Sequence, residues 1–123
     1  MAANSRTQPK RAVVKPWPFG FRVSEGHLKL DVGGGDPPAV TFVNRTDFQV
    51  QFHFDTPFLV DPARGGPLRV LSLDRGQLPV TCNLIEDAEG WYEYQARVMV
   101  SSGEGLGYIE ASAGSRPDID VQR

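Results

Sequence analysis

The chain is expected to fold as an all-β, two-sheet Greek-key β-sandwich, and three features of its 123 residues carry that expectation. Apolar and polar residues alternate over short runs, the period of a strand with one buried face. Thirteen glycines and ten prolines punctuate those runs. No segment holds a helical period over three turns.

Residues 1–16 show no periodicity and carry Arg6, Lys10, Arg11 and Lys15, with no acidic residue before Glu25. They read as a flexible basic arm ahead of a single domain over residues 17–123. Pro16 and Pro18 stiffen the chain around Trp17, after which Phe19, Phe21 and Val23 alternate as a first strand. Leu28, Leu30 and Val32 mark a second, and residues 33–38 (GGGDPP) end it.

Residues 39–54 hold the clearest alternation. Val40 and Phe42 share one face, and Phe48, Val50, Phe52 and Phe54 share another, with Gln49, Gln51 and His53 opposite. Asn44, Arg45, Thr46 and Asp47 lie between, so a hairpin covered by a second sheet is expected. Three prolines and two glycines make residues 55–67 a long connection crossing between sheets. Strands follow at 68–73 and 78–85, the second with Val80, Cys82 and Leu84 on one face.

After an acidic turn at 86–90, one long strand is expected. Tyr92, Tyr94, Ala96, Val98 and Val100 form its inner face, and Trp91, Glu93, Gln95, Arg97 and Met99 its outer one. The chain turns back at 101–105 into a strand at 106–111, and Ile119 and Val121 after Pro117 offer a last short pairing.

A chain this long makes one domain with a real core. A net charge of −2 gives no field to recruit nucleic acid. One cysteine excludes an intrachain disulfide, and no apolar run resembles a signal-peptide core or a membrane span. A soluble, reduced, cytoplasmic protein with no membrane contact is therefore expected. Asn44, Arg45 and Thr46 match a glycosylation sequon, read here as a turn.

Val40, Phe42, Asn44 and Thr46, followed by Gly90, Tyr92 and Tyr94, form a V-x-F-x-N-x-T run and a G-x-Y-x-Y strand start. Over residues 19–121 this resembles the cupredoxin pattern. The resemblance implies a copper-type sandwich whose ligands are an early His, a Cys closing the G-x-Y strand, and a His and Met beyond it. Here the Cys position is Ala96, no histidine follows it, and Cys82 and Met99 stand elsewhere. The expectation is a cupredoxin-like domain without type-1 copper and with no cofactor. Asp87, Gly90 and Tyr92 loosely resemble the tyrosine corner of immunoglobulin-like sandwiches, the alternative fold.

Candidate chemistry is thin. Cys82 and His53 could make a nucleophile–base dyad, but their parities place the thiol inward and the imidazole outward. Glu86, Asp87 and Glu89 lack the spaced oxygens of a calcium loop. Gly103, Gly105 and Gly107 resemble a phosphate loop but lead into a strand rather than a helix. Asp118 and Asp120 read as solvent-facing.

Surfaces remain. Trp91, Glu93, Gln95, Arg97 and Met99 form one outward stripe, and Gln49, Gln51 and His53 another. The reading is a non-catalytic domain that binds a protein partner or self-assembles through such a face or an edge strand. A carbohydrate-binding module is the runner-up, since aromatic rings and amides recognise glycans. A divergent metal-binding domain is the third reading.

Overall fold

The computed structural model describes residues 8–102 and 105–123, with backbone alone at 101, 102, 105 and 106. Eleven strands and no helix form among these residues, in three sheets. The first sheet holds β1 (Lys10–Trp17), β2 (Gly20–Ser24), β4 (Ala39–Asn44) and β7 (Val80–Asn83) in the order β2-β1-β4-β7. The second holds β5 (Gln49–His53), β6 (Val70–Leu73), β9 (Gln95–Ser102) and β10 (Gly105–Ala111) in the order β10-β9-β5-β6. A smaller sheet, β3-β11-β8, is built from β3 (His27–Asp31), β11 (Asp118–Gln122) and β8 (Gly90–Glu93). The molecule is an all-β sandwich.

Alternation explains the core. Ala12, Val14, Val40 and Phe42 point inward from the first large sheet, and Val50, Phe52, Ala96 and Val98 from the second. Leu28, Leu30, Ile119 and Val121 add the inner face of the third. Aromatic rings join the sheets: Phe42 lies 4.8 Å from Phe52, 5.8 Å from Phe54 and 6.0 Å from Tyr94. Such pairs add about 1 kcal/mol each beyond their burial. The Tyr94 hydroxyl is enclosed there without a hydrogen-bond partner, and burial pushes its pKa up.

The expected two sheets are three, and further expectations need correction. Residues 39–54 are not a hairpin, because β4 and β5 lie in different sheets and face each other across the core. Alternation fixes the face of a strand, and an arch satisfies it as well as a hairpin does. The turn chemistry is what favours the arch. Asn44 donates to the carbonyls of Phe48 (2.7 Å) and Leu73 (3.0 Å), and accepts from the backbone N–H (2.9 Å) and hydroxyl (2.8 Å) of Thr46. Asn44 and Thr46 are both buried, so the sequon asparagine is a structural hub.

The basic arm is shorter than expected. Lys10 to Trp17 form β1, which lies between β2 and β4 and runs parallel to β4. Ala12 and Val14 supply its inner face, while Arg11 just before them points out to solvent, so the basic residues masked a short amphipathic strand. Residues 1–7 of the arm lie outside the described residues.

The long strand at 91–100 is two strands. At Tyr94 the chain leaves β11, its partner in the small sheet, and continues as β9 beside β5. The inward parity of Tyr92, Tyr94, Ala96 and Val98 survives the switch, since each sheet packs on the same core. The connection at 55–67 does not carry the chain from one sheet to the other as expected: it leaves β5, bridges Leu59 to Leu84, and returns to β6, the neighbour of β5 in the same sheet. The turn at 101–105 does reverse the chain, because β9 and β10 pair antiparallel, and its residues 103 and 104 lie outside the described residues.

Candidate functional site

The outer face of the β10-β9-β5-β6 sheet brings five of the seven expected surface residues together. Antiparallel register sets Gln49 opposite Met99, Gln51 opposite Arg97 and His53 opposite Gln95. On the next strand, Tyr108 sits opposite Met99 and Glu110 opposite Arg97. Directly opposed side chains touch across a ladder, so these rows form a continuous polar surface.

Two hydrogen-bonded chains run across it. In one, the Gln49 amide donates to Asp74 (2.9 Å), the Gln51 amide donates to Gln49 (3.3 Å), and the His53 Nε2 meets Gln51 Oε1 at 3.1 Å. In the other, the Arg97 Nε donates to Gln95 (2.6 Å), Gln95 donates to Glu110 (2.9 Å), and Arg116 donates to the other oxygen of Glu110 (2.9 Å). The Arg97 guanidinium also lies 4.6 Å over the Tyr108 ring, a cation–π contact.

Charge on the face follows from these partners. Partial burial and the nearby Arg97 hold the His53 pKa below its ordinary value, which favours a neutral imidazole near neutral pH. Burial pushes Glu110 up, but the hydrogen bonds from Gln95 and Arg116 and the charges of Arg116 and Arg97 outweigh it. Its carboxyl is held below the usual range, and the face presents paired charges with fixed donors and acceptors.

Trp91 and Glu93 stand apart. Both are on β8 of the small sheet, where Trp91 lies opposite Asp120 and Glu93 opposite Asp118. The Trp91 side chain is 67% exposed. Tyr92 instead packs beneath the 55–67 connection, stacked on Phe58 at 4.5 Å. The break at Tyr94 therefore divides the expected stripe between two sheets.

The remaining candidates are scattered. Cys82 is fully buried on β7 in the sheet opposite His53, and burial together with the Asp61 charge raises its pKa to about 11. It is a packed thiol, far from a nucleophile's state. Among the described residues, no three His, Cys, Asp or Glu side chains gather in a metal-ligating group. Asp118 is buried rather than solvent-facing and holds His27 at 2.8 Å. A groove of about 970 Å³ lies between β1 and β3, and Lys10, Arg11 and Lys29 line it together with Glu25, Asp31 and Asp36. Lys10 bridges it by donating to the Lys29 carbonyl at 2.6 Å.

Sequence reasoning missed Tyr108, Glu110, Arg116 and Asp74 as members of the polar face. Tyr108 and Glu110 keep one parity along their strand, a signal that was present, but their adjacency to Arg97 comes from register. No family model, no curated protein and no solved structure matches the chain.

Proposed function

We propose that this is a non-catalytic, cupredoxin-like binding domain that engages a protein partner through the outer face of the β10-β9-β5-β6 sheet. The observation that carries the reading is the register that aligns Gln49, Gln51 and His53 with Met99, Arg97 and Gln95. Pre-ordered amides and an arginine held on a tyrosine offer directional hydrogen bonds at low entropic cost, as a protein interface wants. Arginine and tyrosine are also the residues over-represented among interface anchors.

The strand order supports the cupredoxin-like name over the immunoglobulin one. An immunoglobulin sheet places its first strand at an edge, beside the second. Here β1 is interior, between β2 and β4. Cys82 and His53 lie in opposed sheets and form no nucleophile–base dyad.

Tyr108 favours glycan recognition as the second reading, being an exposed ring beside amides. Arg97 already occupies one face of that ring, which leaves less of it for a sugar to stack on. The test is affinity capture from the native host's lysate with wild type, Arg97→Ala and Trp91→Ala. Loss of a specific protein with Arg97→Ala and its retention with Trp91→Ala is expected. Capture lost only with Trp91→Ala moves the interface to the small sheet. Binding to a glycan array that Tyr108→Ala abolishes replaces the protein partner by a carbohydrate.

A further inference from the structure

Five of the eight large apolar side chains exposed among the described residues gather toward one end of the sandwich: Trp17, Phe19, Phe48, Leu78 and Ile109. The topology brings them there. β1 pairs Val14 with Asn44, then runs three residues further to Trp17, which pairs with Gly20 across a two-residue turn of Pro18 and Phe19. Phe48 follows the Asn44 arch and sets its ring 6.0 Å from Phe21 on β2. Leu78 comes two residues before Val80, which pairs with Phe42 near the same arch. Gly20 lies beside Ile109 of β10.

The β1–β2 turn protrudes at this end. Phe19 is 103% exposed at the tip of its turn, so it touches almost nothing of its own chain. Pro18 fixes the backbone beneath it. A rigid protein partner needs a matching pocket for such a tip, whereas a bilayer interface yields around it. Tryptophan and other aromatics favour the headgroup level, where an apolar ring and a polar edge are both satisfied.

The basic charge at this end is that of the β1–β2 turn. The three segments 15–22, 44–49 and 74–80 carry Lys15, Arg22, Arg45 and Arg75 against Asp47 and Asp74, while the full chain is −2. Arg75 reaches Asp47 at 4.0 Å, and Asp74 accepts from Gln49. Lys15 and Arg22 flank the tip itself, at 5.7 Å and 4.7 Å from the Trp17 ring. Apolar tips rimmed by cations complement an anionic lipid surface.

We propose that this end of the sandwich docks on an anionic bilayer, with Phe19 and Trp17 entering the headgroup layer and Lys15 and Arg22 meeting lipid phosphates. Among the described residues no helix is long and apolar enough to cross a bilayer, and the contact proposed is with the bilayer surface. This end adjoins the polar sheet face at Gln49 and Asp74, but Lys15, Trp17, Phe19 and Arg22 are not part of that face and do not depend on its role. It revises the expectation of no membrane contact, which considered only spanning segments.

The experiment is co-sedimentation of the whole chain with phosphatidylglycerol–phosphatidylcholine vesicles and with phosphatidylcholine alone. The expected result is partition to the anionic vesicles only, weakened in high salt. Phe19→Ser should reduce it about tenfold, the loss of one buried aromatic ring. Lys15→Glu with Arg22→Glu should abolish it, and Arg97→Ala should leave it unchanged. In Trp91→Phe protein, where Trp17 is the sole tryptophan, emission should shift to the blue on binding. Leu78→Ser, also at an exposed position, repeats the test should Phe19→Ser lower the melting midpoint. Failure to bind, equal binding to neutral vesicles, or an unshifted Trp17 emission overturns the proposal. Capture of a protein that Phe19→Ser abolishes, without vesicle binding, assigns this end to a protein instead.

Discussion

Asn44 satisfies both ends of its amide inside the arch, so removing it exposes several buried groups at once. Leaving a buried polar group unpaired costs about 1–3 kcal/mol. Asn44→Ala is therefore expected to destabilise the fold by about 3 kcal/mol in urea unfolding, with the slope of the transition unchanged. His27 makes a different residue-scale prediction. Its Nδ1 faces Asp118 at 2.8 Å and its Nε2 faces the Ala113 carbonyl at 3.1 Å, so both ring nitrogens need a proton to bond. Those two bonds raise its pKa above 6.5. A group whose pKa rises on folding contributes stability that is complete below its unfolded value and lost as pH climbs through the folded one. The gap in melting midpoint between wild type and His27→Gln should be widest below pH 6.5 and close toward alkaline pH. A gap that grows with pH would refute the assignment. The side chain is about half exposed, so the effect is modest.

At the scale of elements, alternation read faces well and partners poorly. The inward residues of β3, β5, β9 and β11 followed from parity alone, because each of these strands has one apolar side. Parity says nothing of which edge a strand meets. That is why 39–54 read as a hairpin and 91–100 as one strand, and why Trp91 was grouped with Arg97. The candidate face was legible as two separate outward rows, Gln49, Gln51 and His53 on one strand, Gln95 and Arg97 on another. Their union needed the register of β5 on β9. β1 was illegible for another reason: Ala12 is a weak apolar signal amid lysine and arginine. Its place inside the first sheet predicts that deleting residues 1–16 abolishes the fold, since β2 and β4 both lose their neighbour. Loss of the cooperative thermal transition, with a featureless near-ultraviolet spectrum, is the expected readout. A folded truncated protein would demote β1 to an accessory strand.

For the molecule as a whole, the two proposed surfaces lie on different parts of the sandwich and differ in character. One is a hydrogen-bonded polar sheet face, and the other an end with exposed apolar side chains beside Lys15 and Arg22. A domain with both could hold a protein partner while resting on a lipid surface, and separate variants, Arg97→Ala and Phe19→Ser, divide the two roles. The small sheet adds a matter of timing. β11 lies between β3 and β8, and its contact to β3 joins residues as far apart as His27 and Asp118, 91 positions along the chain. During synthesis β3 emerges long before the strand that must lie beside it. Distant parallel pairings of this kind slow folding toward the millisecond-to-second range. Until β11 arrives, β3 and β8 each lack their shared neighbour and offer unpaired backbone to other chains. The growing chain is thus most vulnerable to aggregation just before β11 is made.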